Sequence, residues 1–334
     1  MKKKIRLQIR FFFLFVVLFC CVCCAGKKSQ GKEDSELFIQ RFDVDFYRYL
    51  KSELEYQDLA KYRDFLAIYG ENVLHIGSPE EFDFQENLRK YFSNPALQDM
   101  YRAEQETFPD VSALNSELSP GLSLFLAEFP KIPKPKVYLH VSGWEQKVIV
   151  ADSILSLSAD FYLGSDYPYY RNFFHDYQRS RMNPDQMAPD YLMGFIMANL
   201  PFEGTDGVLL DRMLYEGKLI YILSRLLPDR QIWECMAYSQ EEYNWCISNE
   251  GQVWKTIVEN QHLFTPNLRI TSQYIKEAPH TAFLSDQSPG RVGVWVGYRI
   301  ISAYMKRYPN LSLSDLMSES DYQEILKESK YKPF

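Results

Sequence analysis

The chain has 334 residues with a formal net charge of −7, and 46% of the residues are hydrophobic. An acidic chain is a poor match for a phosphate backbone, so the charge argues against a nucleic-acid partner. Aromatic residues make up 16% of the chain, which is enough for the large core of a single domain.

The N-terminus has the pattern of a bacterial lipoprotein signal. A basic start is followed by an apolar stretch from Phe11 to Val22, which is typical of an export signal. The stretch is shorter than the ~20 apolar residues of a membrane-spanning helix, and it ends in cysteines instead of a small-residue cleavage site. We therefore predict a lipoprotein signal peptide over residues 1–23, with an uncleaved signal anchor as the alternative.

Two cysteines compete for the lipid. We take Cys24 as the lipidated residue, because the small Cys23 precedes it and a polar segment follows. Cys21 is the alternative, because Leu18 stands three residues before it, as in a lipobox. Residues 24–36 are polar and lack aromatic residues, so they predict a flexible tether.

The first part of the mature chain is predicted to be helical. Apolar residues recur at helical spacing over 37–69, and Gly70 ends that run. A second helix is predicted over 84–107. A third covers 112–126, with Pro120 as a break or a new start.

The sequence pattern changes from helical to strand-like after residue 129. Residues 136–141 and 147–150 are predicted strands, and 142–144 is the turn between them. We favour a third strand at 154–157 over a helix. The chain then returns to helical patterns, predicted at 189–200, 207–227, 240–258, 266–275, 292–308, 313–317 and 321–329, with Ser312 and Ser320 as caps of the last two.

The pattern predicts an α+β fold, mainly α-helical with a small central sheet. We expect one globular domain over residues 37–334. It would be helical over 37–129, contain the sheet at about 136–162, and be helical again over 187–330.

Outside the signal, the chain contains two cysteines, Cys235 and Cys246. A disulfide between them is possible in an oxidising compartment. Two reduced core thiols are the alternative, because the helical segments on either side can hold the two residues beyond the ~7 Å reach of a disulfide.

Several long motifs resemble one family. They are VADSILSLSADFYLGSDYPYY, LLDRMLYEGKLIYIL, NWCISNEGQVW, SPGRVGVWVGYRIISAYM and the closing SKYKPF. With the opening RFDVDFY, they are similar to the gliding motility lipoprotein GldB family of Bacteroidota over nearly the whole mature chain. The resemblance implies a lipid-anchored cell-envelope protein whose partners are other envelope proteins of gliding motility and type IX secretion. No acidic run follows the anchor cysteine directly, which favours a position facing the periplasm over display on the cell surface.

The middle of the chain also resembles, more weakly, zinc peptidases of the gluzincin type. Their fold has a small sheet, a helix with HExxH, and a second helix with a glutamate ligand, which Glu216 matches in position. Two histidines one turn apart are needed to hold the ion. None of the five histidines is four residues from another. We therefore predict a scaffold that has lost the metal, with no cofactor and no catalysis.

A polar cleft is the remaining candidate site. Glu216 lies on an apolar helix and is expected to pair with Arg291 or Arg212, or to contact a ligand. His280 and Arg291 flank one loop, which is the best place for a polar pocket. An arginine at a helix start is opposed by the helix dipole, so Arg291 indicates a carboxylate partner, either internal or on a ligand.

Two other motifs have competing interpretations. Tyr169 and Tyr170 follow the sheet in an aromatic loop, and they either form a contact surface or pack over the core edge. The glycine-rich stretch 290–298 lacks the lysine of a phosphate-binding loop, so we expect close helix packing there. Ser156 and Ser158 have no histidine nearby in the sequence and no nucleophile elbow.

Overall fold

A four-stranded mixed sheet lies between two helical layers in the computed structural model, which describes residues 37–333. The strand order is β1-β2-β4-β3, in which β2 is parallel to both β1 and β4, and β3 is antiparallel to β4. The strands are β1 (Ile39–Gln40), β2 (Lys136–His140), β3 (Val148–Ala151) and β4 (Ile154–Ser158).

Both faces of the sheet are buried, because alternate side chains of each strand point to opposite layers. Val137, Leu139, Leu155 and Leu157 pack into the larger core. Tyr138, Ile149 and Ile154 pack into a smaller, aromatic-rich core with the first helices. Each layer therefore covers one face.

The layer over the smaller core consists of α1 to α4. Their bounds are α1 (Phe42–Leu50), α2 (Arg63–Ile68), α3 (Phe84–Tyr91) and α4 (Pro95–Thr107), with a 3₁₀ segment at Tyr56–Tyr62 and a π turn at Tyr69–Val73. The next helix, α5 (Ser112–Glu128), buries Leu118, Leu122 and Phe125 in the larger core.

The larger core is completed by the helices after the sheet. They are α6 (Tyr170–Phe173), α7 (Asp176–Arg179), α8 (Met187–Asn199), α9 (Leu209–Leu226), α10 (Ile232–Cys235), α11 (Gln240–Glu259), α12 (Leu268–Ile275), α13 (Val292–Arg307), α14 (Leu313–Ser318) and α15 (Tyr322–Ser329). Two short 3₁₀ segments occur at Ala159–Phe161 and Pro184–Gln186.

The predicted α+β class is confirmed, and each helix predicted after residue 187 is present within two residues of its predicted bounds. The cap of the last helix is Asp321 and not Ser320, because the Asp321 carboxylate accepts a hydrogen bond from the Glu324 amide at 2.9 Å. The predicted cap at Ser312 is present, since its hydroxyl accepts a bond from the Asp315 amide at 3.0 Å.

The helical prediction for the first part of the chain was partly wrong. Residues 37–69 begin with the short strand β1, which the distant β2 stabilises by pairing. The predicted helix 84–107 is two helices, because Asn94 caps a new one by accepting from the Ala96 amide at 2.9 Å. Pro120, in contrast, lies inside the continuous helix α5 and does not break it.

The strand positions were predicted correctly, but the turn at 142–144 does not join neighbouring strands. β4 lies between β2 and β3 in the sheet. The hairpin is instead formed by β3 and β4, where Ala151 pairs with Ile154 and Asp152 takes a left-handed conformation with φ 46°.

Helices α9 and α13 cross at very short range through the larger core. A Cβ atom on Gly297 would lie 1.8 Å from the backbone oxygen of Met213, and one on Gly217 would lie 2.3 Å from the carbonyl carbon of Gly297. Neither position has room for a side chain. The glycine-rich stretch therefore serves close helix packing.

The signal peptide over 1–23, the tether over 24–36 and the candidate lipid sites Cys21 and Cys24 lie outside the described residues. Within residues 37–333, no helix is both long enough and apolar enough to span a membrane.

Candidate functional site

A cavity of about 180 Å³ lies where α8 and α9 approach the start of β3. Its apolar wall comes from both helices and from the loop after the sheet. Its polar wall contains three basic and two acidic side chains: Lys147, Arg181, Arg291, Asp190 and Glu277. The cavity thus combines an apolar wall with a mixed but net positive set of charges.

Lys147 and Asp190 form an ion pair in this cavity. The Lys147 ammonium lies 2.6 Å from the Asp190 carboxylate, which also accepts a hydrogen bond from the Tyr162 hydroxyl at 2.6 Å. Burial and the neighbouring Asp190 raise the pKa of the Tyr162 hydroxyl well above its usual value. The tyrosine therefore remains a hydrogen-bond donor to the carboxylate.

Arg181 is less completely satisfied. Its side chain is 12% exposed, and its Nη1 atom lies 3.5 Å from the carboxylate of the half-exposed Glu277. The same Nη1 atom is buried and makes no hydrogen bond. A buried guanidinium nitrogen without a hydrogen bond is unfavourable, so this donor is available to a further acceptor.

Arg291 precedes α13 and lines the cavity in a left-handed conformation, with φ 59° and ψ 26°. Its Nη1 atom donates to the Met236 carbonyl at 3.4 Å. Within the described part of the chain, no carboxylate lies within 4.0 Å of its guanidinium. A non-glycine residue rarely adopts this backbone conformation, and such strain often marks a functional position.

Glu216 lies near this arginine but does not line the cavity. Its carboxylate is 3.6 Å from Arg212, and its side chain is 12% exposed. Burial raises the pKa of Glu216, and the positive charges of Arg291 and Arg212 oppose that shift. The internal partner of Glu216 is therefore Arg212, one of the two arginines considered from the sequence.

The comparisons with known proteins identify a family. The family model described as "Gliding motility protein GldB" matches residues 25–333. The chain belongs to this family of gliding-motility lipoproteins. No curated protein and no solved structure matches the chain, and the predicted similarity to gluzincin peptidases finds no support in these comparisons.

Of the three side chains predicted for a polar cleft, Glu216, Arg291 and His280, Arg291 alone lines the cavity among the described residues. His280 is exposed on the loop before α13 and does not share a pocket with Glu216. Of the predicted group of Glu216, Arg291 and His280, only Arg291 is therefore at the cavity. Glu216 is close enough for the positive charge of Arg291 to lower its pKa.

The two loop tyrosines have different environments. Tyr170 is fully buried, and its hydroxyl donates to the Asp160 carbonyl at 2.7 Å. Tyr169 is partly exposed, and its hydroxyl donates to the Asp99 carboxylate of α4 at 3.0 Å. Tyr170 therefore packs in the core, and Tyr169 ties the loop to α4.

Cys235 and Cys246 are buried free thiols, so the possible disulfide between them is not formed in this structure. Burial raises the pKa of the Cys235 thiol to about 12 and also raises that of Cys246. Both thiols stay protonated at neutral pH and are poor nucleophiles.

A serine–histidine contact was missed from the sequence. The His140 ring lies 2.7 Å from the Ser156 hydroxyl, because β2 and β4 are parallel neighbours. Distance along the sequence therefore did not reveal the contact of Ser156 with His140, which is 16 residues away. Burial lowers the pKa of His140 to about 3. Both side chains are fully buried, so a substrate has no access to them.

A second missed feature is a buried charge cluster at the start of α1. The Arg41 guanidinium lies 2.6 Å from Asp43 and 4.0 Å from Glu104, and both carboxyl side chains are fully buried. Burial raises the pKa of both carboxyls, and the nearby Asp43 raises that of Glu104 further. The alternation of charged and apolar residues in RFDVDFY was the available signal. Glu104 could not be predicted as a partner of Arg41 from the sequence, because the two residues are far apart along the chain.

Proposed function

We propose that this chain is a lipid-anchored envelope protein that supports gliding motility and type IX secretion as a non-catalytic assembly or stabilising component. The single observation that carries the proposal is the family match over residues 25–333. The lipid on Cys24, or on Cys21, holds the protein at a bacterial membrane, and the folded body faces the periplasm.

The chemistry of the described residues supports binding more than catalysis. In the cavity, Asp190 is occupied by Lys147 and Tyr162. The contact between His140 and Ser156 is sealed inside the sheet. Within residues 37–333, no group of three or more His, Cys, Asp or Glu side chains is arranged to hold a metal ion.

A second candidate function is ligand binding or hydrolysis in a peptidase-like cleft. The cavity beside α8 and α9 favours ligand binding, because residues of both helices line it. Glu216, the expected ligand of the hydrolytic version, lies on α9 outside the cavity lining. Metal analysis of the purified protein tests the hydrolytic version. Stoichiometric zinc that is lost in Glu216→Ala would favour hydrolysis over the assembly role.

The assembly role is tested by mild crosslinking in native membranes followed by affinity purification of the tagged full-length chain. We expect recovery of envelope proteins of the gliding or type IX secretion machinery. A tagged, unrelated lipoprotein expressed at the same level is the control. Recovery of no such component above this control would contradict the proposal.

A further inference from the structure

We propose that the cavity beside α8 and α9 binds the C-terminal carboxylate of an extended peptide, with Arg181 and Arg291 as its ligands. The inference rests on the proposed assembly function, because it names the chemistry of a partner.

The two arginines have unused hydrogen-bonding capacity. Arg181 has a buried Nη1 atom that makes no hydrogen bond, and its distance to Glu277 is 3.5 Å, longer than the roughly 2.7–2.9 Å of a close charge-assisted bond. Arg291 makes one long contact to a carbonyl. A guanidinium matches a carboxylate with two parallel hydrogen bonds, so a bound carboxylate would satisfy both groups.

The other charges in the cavity do not compete for this role. Asp190 is held by Lys147 at 2.6 Å and by the Tyr162 hydroxyl. Glu277 is 56% exposed, so solvent weakens its hold on Arg181. The cavity is therefore locally positive on a chain with a net charge of −7, and an anionic group complements it.

The volume and the apolar wall define what can accompany the carboxylate. About 180 Å³ is slightly more than the ~150 Å³ of an engineered cavity that binds benzene. This space accommodates a carboxylate and one modest side chain. The apolar lining favours an apolar terminal residue and is formed by Phe161, Phe174, Met182, Met193, Ile220 and Leu223.

A groove leads away from the cavity along the edge of the sheet. It has a volume of about 780 Å³ and is lined by β3, by residues 194–198 of α8 and by residues 68–73. Lys147 lines the cavity, and Val148 lines the groove. On α8, Met193 lines the cavity, and Gly194 lines the groove. The two depressions thus adjoin along the same strand and helix.

The edge strand has backbone groups that suit an added strand. β3 is the last strand of the sheet in the described residues. The Lys147 carbonyl accepts from the Ser158 amide at 2.9 Å, so the antiparallel alternation turns the backbone groups of Val148 and Val150 to the open side. The Val148 carbonyl accepts from the Gln146 side-chain amide at 2.8 Å. An added strand would replace that bond and would also pair with the Val148 amide and the backbone groups of Val150. A peptide with its carboxyl end in the cavity would run antiparallel to β3 and add to the sheet edge.

Fluorescence anisotropy with the full-length chain in detergent micelles tests the proposal. The probe is an N-terminally labelled Ala-Thr-Val-Thr-Val peptide with a free carboxyl end. The comparison peptides are its C-terminal amide and an amide with an internal glutamate. We expect saturable binding of the free acid and at least about tenfold weaker binding of both amides, because charge-assisted hydrogen bonds are lost.

Matched variants assign the site. Arg181→Gln and Arg291→Gln are each expected to weaken binding of the free acid by about tenfold. Arg171→Gln, at an exposed arginine outside the cavity, is expected to bind like the wild type. Thermal unfolding shows that each variant is folded before it is compared.

Equal binding of acid and amide, no saturable binding of the acid, or full affinity in folded Arg291→Gln would overturn the proposal. Binding of the glutamate amide as tight as that of the acid would overturn the assignment to a chain terminus. These outcomes are independent of motility, so they leave the proposed function to be tested separately by its own experiments.

Discussion

Gly217 and Gly297 face each other where α9 crosses α13, and neither has space for a Cβ atom. Because the nearest atoms are backbone atoms of the facing helix, side-chain rearrangement cannot relieve the clash. The contact fixes the distance between α9, which lines the cavity with Ile220 and Leu223, and α13, which follows Arg291 directly.

Gly297→Ala is therefore expected to destabilise the protein by about 3 kcal/mol, at the upper end of overpacking effects. Urea unfolding followed by circular dichroism measures the change. Lys306→Ala, on the exposed surface of the same helix, is the control and should change the unfolding free energy by less than about 0.5 kcal/mol. An equal effect of the two substitutions would show that the close crossing is not needed.

His140 predicts a loss of stability in acid. Its pKa is about 3 in the folded chain and about 6.5 when unfolded. As pH falls below 6.5, His140 takes up a proton in the unfolded state but stays neutral in the folded state. The free energy of unfolding therefore decreases. Between pH 7 and pH 4.5, the wild type should lose about 2.5 kcal/mol more than His140→Gln.

Urea unfolding of both proteins at several pH values checks this prediction. Other groups titrate in both proteins, so their contribution cancels in the difference. Parallel pH profiles for the wild type and His140→Gln would contradict the prediction, because they would mean that His140 takes up a proton as readily in the folded state as in the unfolded state.

Lys218 predicts a gain of stability at alkaline pH, so stability again increases with pH. It is buried on α9 and donates to the Glu319 carbonyl, and burial lowers its pKa to about 8. Between pH 8 and pH 10, the unfolded chain keeps a proton that the folded chain has lost, so stability rises with pH. The wild type should gain about 2 kcal/mol relative to Lys218→Met over this window.

The control for this prediction is Lys255→Met, at an exposed position of α11. Its pH profile should run parallel to that of the wild type. Lys218 would be charged in the folded state throughout this range if Lys218→Met gave the same profile as the control.

The thiols of Cys235 and Cys246 should react only after unfolding. Both are buried and free, and their raised pKa values keep them protonated at pH 7. Alkylation with iodoacetamide, with peptide mapping by mass spectrometry and no reductant, should label them in denaturant and leave them unlabelled in the native chain. A disulfide-linked peptide pair would contradict the structure.

Sequence patterns predicted the local parts of the fold well. Helices α9, α11 and α13 lie within two residues of their predicted bounds, and the predicted cap Ser312 marks a true helix start. The two-residue strand β1 could not be predicted, because it is defined by pairing with β2 nearly one hundred residues later. The same limit applies to the position of β4 between β2 and β3.

The site was predicted only in part, because most of its residues come together through contacts between distant parts of the chain. Arg291 was recognisable because a cation at a helix start is unusual. Arg181, between α7 and α8, and Lys147, directly before β3, reach the cavity only through the packing of these segments against α8. No local pattern indicates that packing. His280 is on the same loop as Arg291 in the sequence, but its side chain is exposed to solvent.

Deletion of the gene tests the central claim most directly, with colony spreading and secretion of a type IX cargo as the readouts. Complementation uses the wild type and the double variant Cys21→Ala, Cys24→Ala at matched abundance. We predict that deletion abolishes both activities and that only the wild type, which can carry the lipid, restores them. Normal spreading and normal secretion in the deletion strain would contradict a role in this machinery.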